Sequence, residues 1–428
     1  MHVYIIGMGT RGDIQPYIAM GLGLQKAGHR VTLCTSENFR SLVDEYGLPC
    51  TCVYDDILEN MNSDAGRAVL DDSTPAWQKL KAYVELFKRS GPMQTRMLEE
   101  GWRAAEEARP DLILYHPKVY GAPHFAEKLG IPAMIAALIP GMVPTSAFPA
   151  GVFPPWRLGG WYNRWTARFM AKFMSMGFAR YVKAWRHANG LPALRRGLEL
   201  TRTSDGRPIP VMHGFSRHVV PSPTDWPAHA QMTGYWFLDR PATWQAPASL
   251  VSFLDAGDPP VYVGFGSMAG PKAAHVSRVF VDALQKAKVR GILATGWGGL
   301  TASDRPDTIH KIDNAPHDWL FPRVAAVVHH GGAGTTAAGL RAGRPTLVCP
   351  FVVDQPFWGR RVHELGAGPA PIAQKALRTD NVAQALRELV DDEDFRRNAG
   401  AIGENLRQED SMTHALAFIE AQLAALRA

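Results

Sequence analysis

The sequence predicts an α/β protein with two parallel-sheet domains. Near the start, the apolar run His2–Ile6 leads through the glycine loop Gly7–Gly12 into a helical pattern over Ile14–Ala27, and a second apolar run follows at Val31–Thr35. The same order of apolar run, glycine-rich turn and helical pattern returns from Val261 onward. Because strand, helix and strand in this order form the repeating unit of parallel sheets, each half of the chain predicts its own sheet.

The length and the composition set the predicted domain boundaries. A chain of 428 residues suggests two or three domains. Residues 240–258 hold several prolines and alanines without strong periodicity, which predicts an interdomain linker. We therefore expect an N-terminal domain over 1–239 and a C-terminal domain over 259–405. A last helix over 406–428 is expected to pack back on the N-terminal domain.

The composition excludes several classes of protein. Apolar residues make up 46% of the chain and charged residues 20%, which excludes a disordered chain. No apolar stretch approaches the roughly 20 residues that a membrane-spanning helix needs, and the start lacks the basic region of a secretory signal. Four cysteines are too few for a disulfide framework, so we expect reduced thiols in a cytoplasmic protein. They are Cys34, Cys50, Cys52 and Cys349.

The strongest chemical signal is the turn His329–Thr336, which lies between a predicted strand and a predicted helix. The N-terminus of a helix presents unpaired N–H groups and a partial positive charge, and glycines such as Gly332 and Gly334 let the backbone approach a ligand. Thr335 and Thr336 add hydroxyl donors, and His330 adds a donor that can be cationic. Together they predict a diphosphate site. The alternative is a turn that only packs a helix on a sheet.

A carboxylate and an amide follow the next predicted strand, Pro345–Cys349. In open α/β sheets, ligands bind beyond the carboxyl ends of strands, so Asp354 and Gln355 are expected at the same edge as the diphosphate site. Such a pair suits hydrogen bonding to sugar hydroxyls. The alternative is that Asp354 only caps a helix.

The N-terminal loop Gly7–Gly12 matches the dinucleotide-binding fingerprint, and Glu37 falls where a ribose-binding acid would lie. However, Asp13 would stand at the helix N-terminus, where it would repel a pyrophosphate. We therefore interpret Asp13 as a functional carboxylate, with a plain helix N-cap as the alternative. His116 and His124 are the next candidates for a base.

No metal site is predicted. Asp392, Glu393 and Asp394 form an acidic cluster in a charged helical stretch, which we interpret as a solvated helix face. Neither histidines nor cysteines occur elsewhere with the spacing of metal ligands.

Residues 156–186 combine aromatic and basic side chains at helical spacing. Residues 151–200 contain nine Arg or Lys and one Glu, a local excess of +8 against +6 for the chain. Such a pattern fits a helix that lies on an anionic membrane surface better than a nucleic-acid partner, and we expect no nucleic acid. The alternative is a helix packed on the core with its basic side in water. The two interpretations are compatible. The helix carries Trp161, Trp165, Phe169, Phe173 and Met176 beside Arg164, Arg168 and Lys172.

Taken together, the motifs resemble those of the family 1 glycosyltransferases of the GT-B type. The similarity is greatest to the branch with the sterol glucosyltransferases and the glycopeptide- and glycolipid-modifying enzymes. The matching segments are Gly9–Pro16, Val261–Ser267, Pro316–Pro322, His329–Thr336, Arg341–Pro345 and Asp354–Gln355, spread over almost the whole chain.

This resemblance implies two Rossmann-like domains that face a cleft, with the acceptor bound by the N-terminal domain and a nucleotide sugar by the C-terminal one. It implies transfer of a sugar to a hydroxyl with inversion and without a metal or other cofactor. Asp13 matches the proposed catalytic base of this branch. In the donor site, Ser267 and His330 would help the turn to hold the diphosphate, Trp319 would lie against the base and ribose, and Asp354 and Gln355 would hold the sugar.

The chain departs from the plant members of this family at one position of the donor site. Plant members carry a ribose-binding Glu eight residues after the phosphate-binding His, where this chain has Ala338. A UDP-sugar is expected, with a dTDP-sugar as the alternative. We expect a hexose, glucose, and a hydrophobic acceptor such as a sterol, glycolipid or polyketide. The enzyme would be cytoplasmic, with peripheral contact at the inner face of a membrane.

Two other functions remain open at this point. One is a nicotinamide- or flavin-dependent oxidoreductase that uses the Gly7–Gly12 loop. The other is a non-catalytic lipid-binding protein on the same fold.

Overall fold

The chain folds into two compact units in the computed structural model, which describes residues 1–53, 63, 65–66, 74–265, 273–294, 306–351 and 353–427. The first unit comprises the described residues of Met1–Gly66, Leu80–Leu238 and Asp410–Ala428. The second comprises those of Arg67–Lys79 and Asp239–Glu409. Each unit contains a parallel sheet with helices packed on it, so the predicted α/β class is confirmed.

The first unit has a seven-stranded sheet in the order β3-β2-β1-β4-β5-β6-β7. Its strands are β1 His2–Ile6, β2 Arg30–Ser36, β3 Cys50–Val53, β4 Leu112–Tyr115, β5 Ala133–Ala137, β6 Val211–His213 and β7 Ala230–Met232. Its helices are α1 Arg11–Lys26, α2 Arg40–Asp44, α3 Ala76–Ala108, α4 Ala122–Leu129 and α5 Gly160–Ala188.

Both faces of this sheet are buried, because alternate strand residues point to opposite sides. Val3 and Ile5 pack in a core that contains residues of α1, whereas Tyr4 and Ile6 pack in a second core with residues of α3, α4 and α5. This burial explains why the strands have nearly continuous apolar sequences.

The second unit has a five-stranded sheet in the order β10-β9-β8-β11-β12. The strands are β8 Val261–Gly264, β9 Gly291–Ala294, β10 Ile309–Ile312, β11 Ala326–His329 and β12 Thr346–Val348. The helices are α6 Ala248–Asp255, α7 Ala273–Ala287, α8 His317–Leu320, α9 Ala333–Arg341, α10 Gln355–Glu364, α11 Thr379–Asp391 and α12 Glu393–Gln408.

Two segments outside the predicted domain bodies, 240–258 and the last helix, pack into the hydrophobic cores. The predicted linker, 240–258, contains α6, and Leu250 of this helix is buried in a core of the second unit. This apolar contact joins the segment to that unit, and the interdomain linker over 240–258 stays a prediction. The last helix, α13 Ser411–Arg427, packs Phe418 and Ile419 into the core of the first unit.

The long helix α5 has two different faces. Buried residues along one side include Tyr162, Val182 and Trp185, which anchor the helix to the first unit. The other side is exposed and aromatic: Trp161, Trp165, Phe169, Phe173 and Met176 are between 47% and 67% exposed. The helix is therefore packed on the core, yet its aromatic stripe faces outward. None of the helices in the described part of the chain is both long and apolar enough to cross a membrane.

Candidate active site

Each sheet has one point where the strand order reverses. In the first sheet β2 and β3 lie on one side of β1 and β4 to β7 on the other, and Ile6 at the end of β1 pairs with Tyr115 at the end of β4. In the second sheet the reversal lies between β8 and β11, where Gly264 pairs with His329. Ligands of open α/β sheets bind at such points, beyond the carboxyl ends of the strands. The predicted Asp13 and His330 sites begin at these two points.

Asp13 is the third residue of α1, and Thr10 is the N-cap, so the interpretation of Asp13 as an N-cap is wrong. Its Oδ2 accepts hydrogen bonds from the Thr10 backbone N–H at 2.7 Å, from the Thr10 hydroxyl at 3.0 Å and from Lys118 Nζ at 3.4 Å. Its Oδ1 lies 3.5 Å from His116 Nε2. The carboxylate is therefore held by groups from the ends of both β1 and β4.

His116 and Lys118 are the residues of this site that sequence reasoning did not place beside Asp13. His116 follows β4 directly, and β4 pairs with β1, so strand adjacency was the signal that could have found it. The Lys118 backbone N–H donates to His116 Nδ1 at 3.1 Å, which leaves the ring proton on Nε2, facing Asp13.

The charges of this cluster follow from its surroundings. Burial alone would raise the pKa of the Asp13 carboxyl, but the Lys118 ammonium, the His116 ring and the Thr10 backbone N–H together hold that pKa well below its usual range. Burial lowers the pKa of His116. At neutral pH, Asp13 is therefore anionic and His116 neutral.

A small apolar pocket of about 20 Å³ adjoins this cluster. Lys118 lies in its wall together with Met8 from the loop after β1 and Met97 from α3. Phe178 and Tyr181 of α5 form another part of the wall. The inner side of α5 thus lines a pocket, while its outer side carries the exposed aromatic stripe.

The glycine loop does not suit a dinucleotide. A Cβ atom at Gly9, whose φ is +132°, would overlap Asp13 Oδ2, so the carboxylate already fills the space against the loop. Asp13 also accepts the hydrogen bond of the Thr10 backbone N–H, a donor that a bound pyrophosphate would need. Glu37 is paired with Arg40 at 2.7 Å on the surface. The oxidoreductase alternative is not supported.

In the second unit, the turn after β11 is shaped by two glycines and a buried histidine. The Gly331 N–H donates to His329 Nδ1 at 2.9 Å, and His329 is fully buried, so His329 holds the turn from inside. Gly331 has a φ of +93°, and a Cβ atom there would lie 2.6 Å from Val348 Cγ1 and 3.0 Å from the Gln355 carbonyl oxygen. The turn therefore packs directly against the start of α10.

His330 lies over the turn. A Cβ atom at Gly332 would stand 2.6 Å from His330 Nε2, so the ring uses the space that this glycine leaves. His330 Nδ1 is buried and has no hydrogen-bond partner in the described part of the chain. Burial lowers the pKa of His330 to about 4, so His330 is neutral at pH 7 in the unliganded protein rather than cationic.

The helix α9 begins at Ala333. Gly332 is its N-cap, and no side chain caps it. Gly334 is exposed and Thr335 half-buried, so both lie on the open side of the helix terminus. Thr336 is buried, and its hydroxyl donates to the Gly332 carbonyl oxygen at 2.9 Å. Thr336 therefore supports the turn, and the expectation that its hydroxyl faces a ligand is wrong.

Asp354 and Gln355 open α10 beside this turn. The Trp358 indole N–H donates to Asp354 Oδ2 at 2.7 Å, and the Asp354 side chain makes no capping hydrogen bond. Gln355 is buried, and its Oε1 accepts from the Phe351 N–H at 2.7 Å. Val353, just before them, has a φ of +61°, a conformation that is strained for a β-branched residue and is typical of functional loops.

The other predicted residues lie as follows. Trp319 is half-buried in α8, with the Arg323 guanidinium 4.5 Å from its ring centroid and the Trp244 ring centroid at 5.3 Å. Ser267 lies outside the described residues. Asp392 caps α12 by accepting from the Asp394 and Phe395 N–H groups, so its carboxylate has a structural task. Across the described ranges, no group of three or more metal-binding side chains comes together.

Family models match both halves of the chain. Residues 3–148 match the glycosyltransferase family 28 N-terminal domain, and residues 298–416 match the erythromycin biosynthesis protein CIII-like C-terminal domain. Among solved structures, the chain is similar to the glycotransferase of kitacinnamycin, with a TM-score of 0.72, 21% identity and 99% of each chain covered. It is also similar to the glycosyltransferase VinC in complex with dTDP, with a TM-score of 0.67, 18% identity and coverage of 98% and 99%. These structures show the same fold.

Curated relatives are more similar in sequence. The chain is 35% identical to sterol 3-beta-glucosyltransferase UGT80A2 of Arabidopsis thaliana over 97% of its own length and 64% of the relative. It is 34% identical to UGT80B1 of the same plant over 97% of its length and 67% of the relative. The sterol 3-beta-glucosyltransferase of Emericella nidulans is 35% identical, but the chain spans only 30% of it. By this similarity, and by the fold of both units, the chain belongs to the GT-B glycosyltransferases of family 1, in the branch that includes the sterol 3-beta-glucosyltransferases.

Proposed function

We propose that the protein transfers a hexose, glucose, from a UDP-sugar to a hydroxyl group of a hydrophobic acceptor such as a sterol. The observation that carries this proposal is the position of the ionised Asp13 carboxylate beside an apolar pocket. The apolar side chains of the pocket wall suit contact with the body of such an acceptor, and the nearby carboxylate suits its hydroxyl. The pocket has a volume of about 20 Å³, so it would have to widen to admit a sterol. The family relationship supports the same reaction class.

In the proposed reaction, Asp13 acts as the general base. The acceptor oxygen forms a bond to the anomeric carbon of the sugar, and its proton passes to Asp13. The bond between the anomeric carbon and the diphosphate oxygen breaks, and its electron pair leaves with the diphosphate. Attack from the opposite side of the leaving group inverts the anomeric carbon.

The turn after β11 is proposed to stabilise the leaving diphosphate. In this proposal His330 donates a hydrogen bond to the diphosphate. The start of α9, which no side chain caps, supports the same role with backbone N–H groups near Gly334 and Thr335. Fixed donors of this kind stabilise negative charge that develops in the transition state. Asp354 and Gln355 are proposed to bind the sugar hydroxyls, Trp319 the nucleoside, and Ser267 the diphosphate.

Calorimetry with UDP, dTDP and UDP-glucose tests the donor assignment. The proposal expects UDP and UDP-glucose to bind, and His330→Ala to weaken both. Because the similar structure of VinC is a complex with dTDP, dTDP is the alternative donor nucleotide in this test. Tighter binding of dTDP than of UDP would overturn the choice of UDP. Binding of neither nucleotide would favour a non-catalytic lipid-binding protein.

We also propose that the exposed side of α5 rests on an anionic membrane surface. Its aromatic stripe lies beside Arg168 and Lys172, which are exposed on the same helix. Aromatic and basic side chains on one helix face suit the interface of an anionic bilayer. Arg164, by contrast, pairs with Asp225 at 2.7 Å, and Asp225 also accepts a hydrogen bond from the Ser146 N–H. Arg164 therefore holds a loop and is unsuitable as a probe of membrane contact.

Sedimentation with anionic vesicles tests this contact. Wild-type protein should sediment at low salt and less at high salt, because salt screens exposed charges. The double variant Arg168→Gln and Lys172→Gln should stay in solution. The matched control is Arg195→Gln and Arg196→Gln, which removes the same charge from exposed positions outside the helix. Equal sedimentation of both variants would contradict a contact through α5.

A further inference from the structure

The His116 ring is buried and has defined contacts with Tyr17, Lys118 and Asp13. It is 6% exposed, and Tyr17 of α1 meets it edge-on, with ring centroids 5.9 Å apart. Nδ1 accepts the Lys118 N–H, and Nε2 faces Asp13 Oδ1 at 3.5 Å. Because Nδ1 accepts the Lys118 N–H, the hydrogen of the neutral ring lies on Nε2, the nitrogen that faces Asp13.

The two oxygens of Asp13 have different surroundings. Oδ2 receives three donors, two from Thr10 and one from Lys118. Oδ1 has a single polar neighbour within the described residues, the His116 ring. The Asp13 side chain is 21% exposed, so the carboxylate can be reached by a ligand. Oδ1 is therefore the oxygen with room for a further proton.

We propose that His116 is a positioning residue for the sugar transfer: its Nε2–H holds the Asp13 carboxylate in the orientation in which Oδ1 receives the proton of the acceptor. This inference rests on the proposed function of Asp13. His116 does not take the proton itself, because Nδ1 is occupied by the Lys118 amide and Nε2 already carries hydrogen. Its arrangement differs from that of His124, which lies against Arg186 and Glu127 and has no contact with Asp13.

The charged and titratable groups that face Asp13 are Lys118 and His116 from the loop after β4 and Tyr17 from its own helix. Changing the His116 side chain does not remove the Lys118 ammonium, the charged group near Asp13. Loss of the Nε2–H donor removes one of the interactions that favour the ionised carboxyl, so the pKa of Asp13 rises. The acid limb of the pH–rate profile should then move to higher pH. A residue that only supports packing would leave that limb where it is.

Two amide variants separate the two nitrogens of the ring. Gln carries its amide nitrogen at about the position of Nε2, so His116→Gln can still donate to Asp13. Asn carries its polar groups near Nδ1, so His116→Asn can accept the Lys118 amide but does not reach Asp13. Both variants keep a polar side chain that can satisfy the loop, and UDP-glucose binding to the second unit serves as a check on both preparations.

The test measures kcat and KM for wild type and both variants from the lowest pH at which all three proteins stay folded up to about pH 9, because the low pKa of Asp13 places the acid limb at the acidic end of the range. We expect His116→Gln to keep kcat within about tenfold of wild type with an unchanged acid limb. For His116→Asn we expect kcat to fall by about tenfold to a hundredfold, with the acid limb moved upward and KM for UDP-glucose unchanged. Equal loss in both variants without a pH shift, or a wild-type profile in His116→Asn, would overturn the inference. If either variant unfolds, the pH profile of Lys118→Met takes its place. This change also removes a donor to Asp13, so the acid limb should move to higher pH. An unmoved limb would overturn the account of how Asp13 is held.

Asp13→Asn separates failure of this inference from failure of the proposed function. Full activity of Asp13→Asn would remove the proposed base and the inference with it. An inactive Asp13→Asn together with unaffected His116 variants would overturn the role of His116 alone.

Discussion

The replacement Gly332→Ala tests the diphosphate site through a single added methyl group. Gly332 has φ −62° and ψ 141°, a conformation that alanine adopts without strain, so the backbone can remain as it is. The added Cβ would lie 2.6 Å from His330 Nε2, well inside contact distance. The ring must therefore move away from the turn, which removes its donor from the proposed diphosphate position.

The expected size of the effect follows from what is displaced. Loss of one preorganised donor to a developing oxyanion lowers kcat by about 10²–10³, or roughly 2.7–4 kcal/mol. Alanine at a helix N-cap costs only about 1 kcal/mol of stability. A large loss of rate with a small loss of stability is therefore predicted. The assay is the initial rate of transfer from UDP-glucose, measured beside thermal unfolding of the same preparation.

Gly400→Ala is the matched control. Gly400 lies inside α12, and a Cβ atom there meets nothing within 4 Å. Because glycine inside a helix costs about 0.5–1 kcal/mol relative to alanine, this variant should gain stability and keep its rate. A wild-type rate in Gly332→Ala would refute the placement of His330 on the diphosphate.

Further predictions concern the base, the donor, the metal and the core. Asp13→Asn should keep UDP-glucose binding but lower kcat by about 10²–10⁴, measured as product formation. Because the pKa of His330 is lowered to about 4 and an anion can only raise it, UDP-glucose should bind more tightly as the pH falls from about 7 to 5. In His330→Gln this dependence should vanish, and weaker binding at low pH in wild type would contradict it. EDTA should leave the rate unchanged, since no metal takes part in the proposed mechanism; a rate that only magnesium or manganese restores would refute this. Phe418→Ala should destabilise the first unit by about 3–5 kcal/mol in chemical unfolding, because Phe418 is buried in its core.

The sequence could predict the fold class because both sheets are parallel and buried on both faces. Buried parallel strands have continuous apolar sequences, and turns such as Gly7–Gly12 mark the start of the following helix. The strand β1 was predicted with its observed bounds for this reason. Short strands at the ends of the sheets, such as β6 and β7, have only three residues each, too few for a periodic signal.

The candidate site was predictable only where a motif lies within one segment. The turn with His330 and the loop with Asp13 are continuous in sequence, so their residue types alone indicated chemistry. His116 is separated from Asp13 by about a hundred residues, and only the pairing of β1 with β4 brings the two together. The inward direction of Thr336 was also hidden, because neighbouring helix residues point in different directions and tertiary packing decides which one is buried.

The aromatic stripe of α5 shows another limit of sequence reasoning. Its periodicity predicted a helix, which the structure confirms. Periodicity gives the width of an apolar face but not whether another element covers it. Exposure of Trp161 and Phe173 became evident only in the fold.

The most direct test of the proposed function is the product itself. Purified protein is incubated with UDP-glucose and a sterol presented in anionic vesicles, with Asp13→Asn as the control, and the lipid extract is analysed by mass spectrometry and NMR. We predict a sterol that carries one added hexose in the β configuration, formed by wild-type protein and nearly absent with Asp13→Asn. No hexosylated product from any nucleotide sugar or hydrophobic hydroxyl acceptor, or equal product from Asp13→Asn, would contradict the proposed reaction.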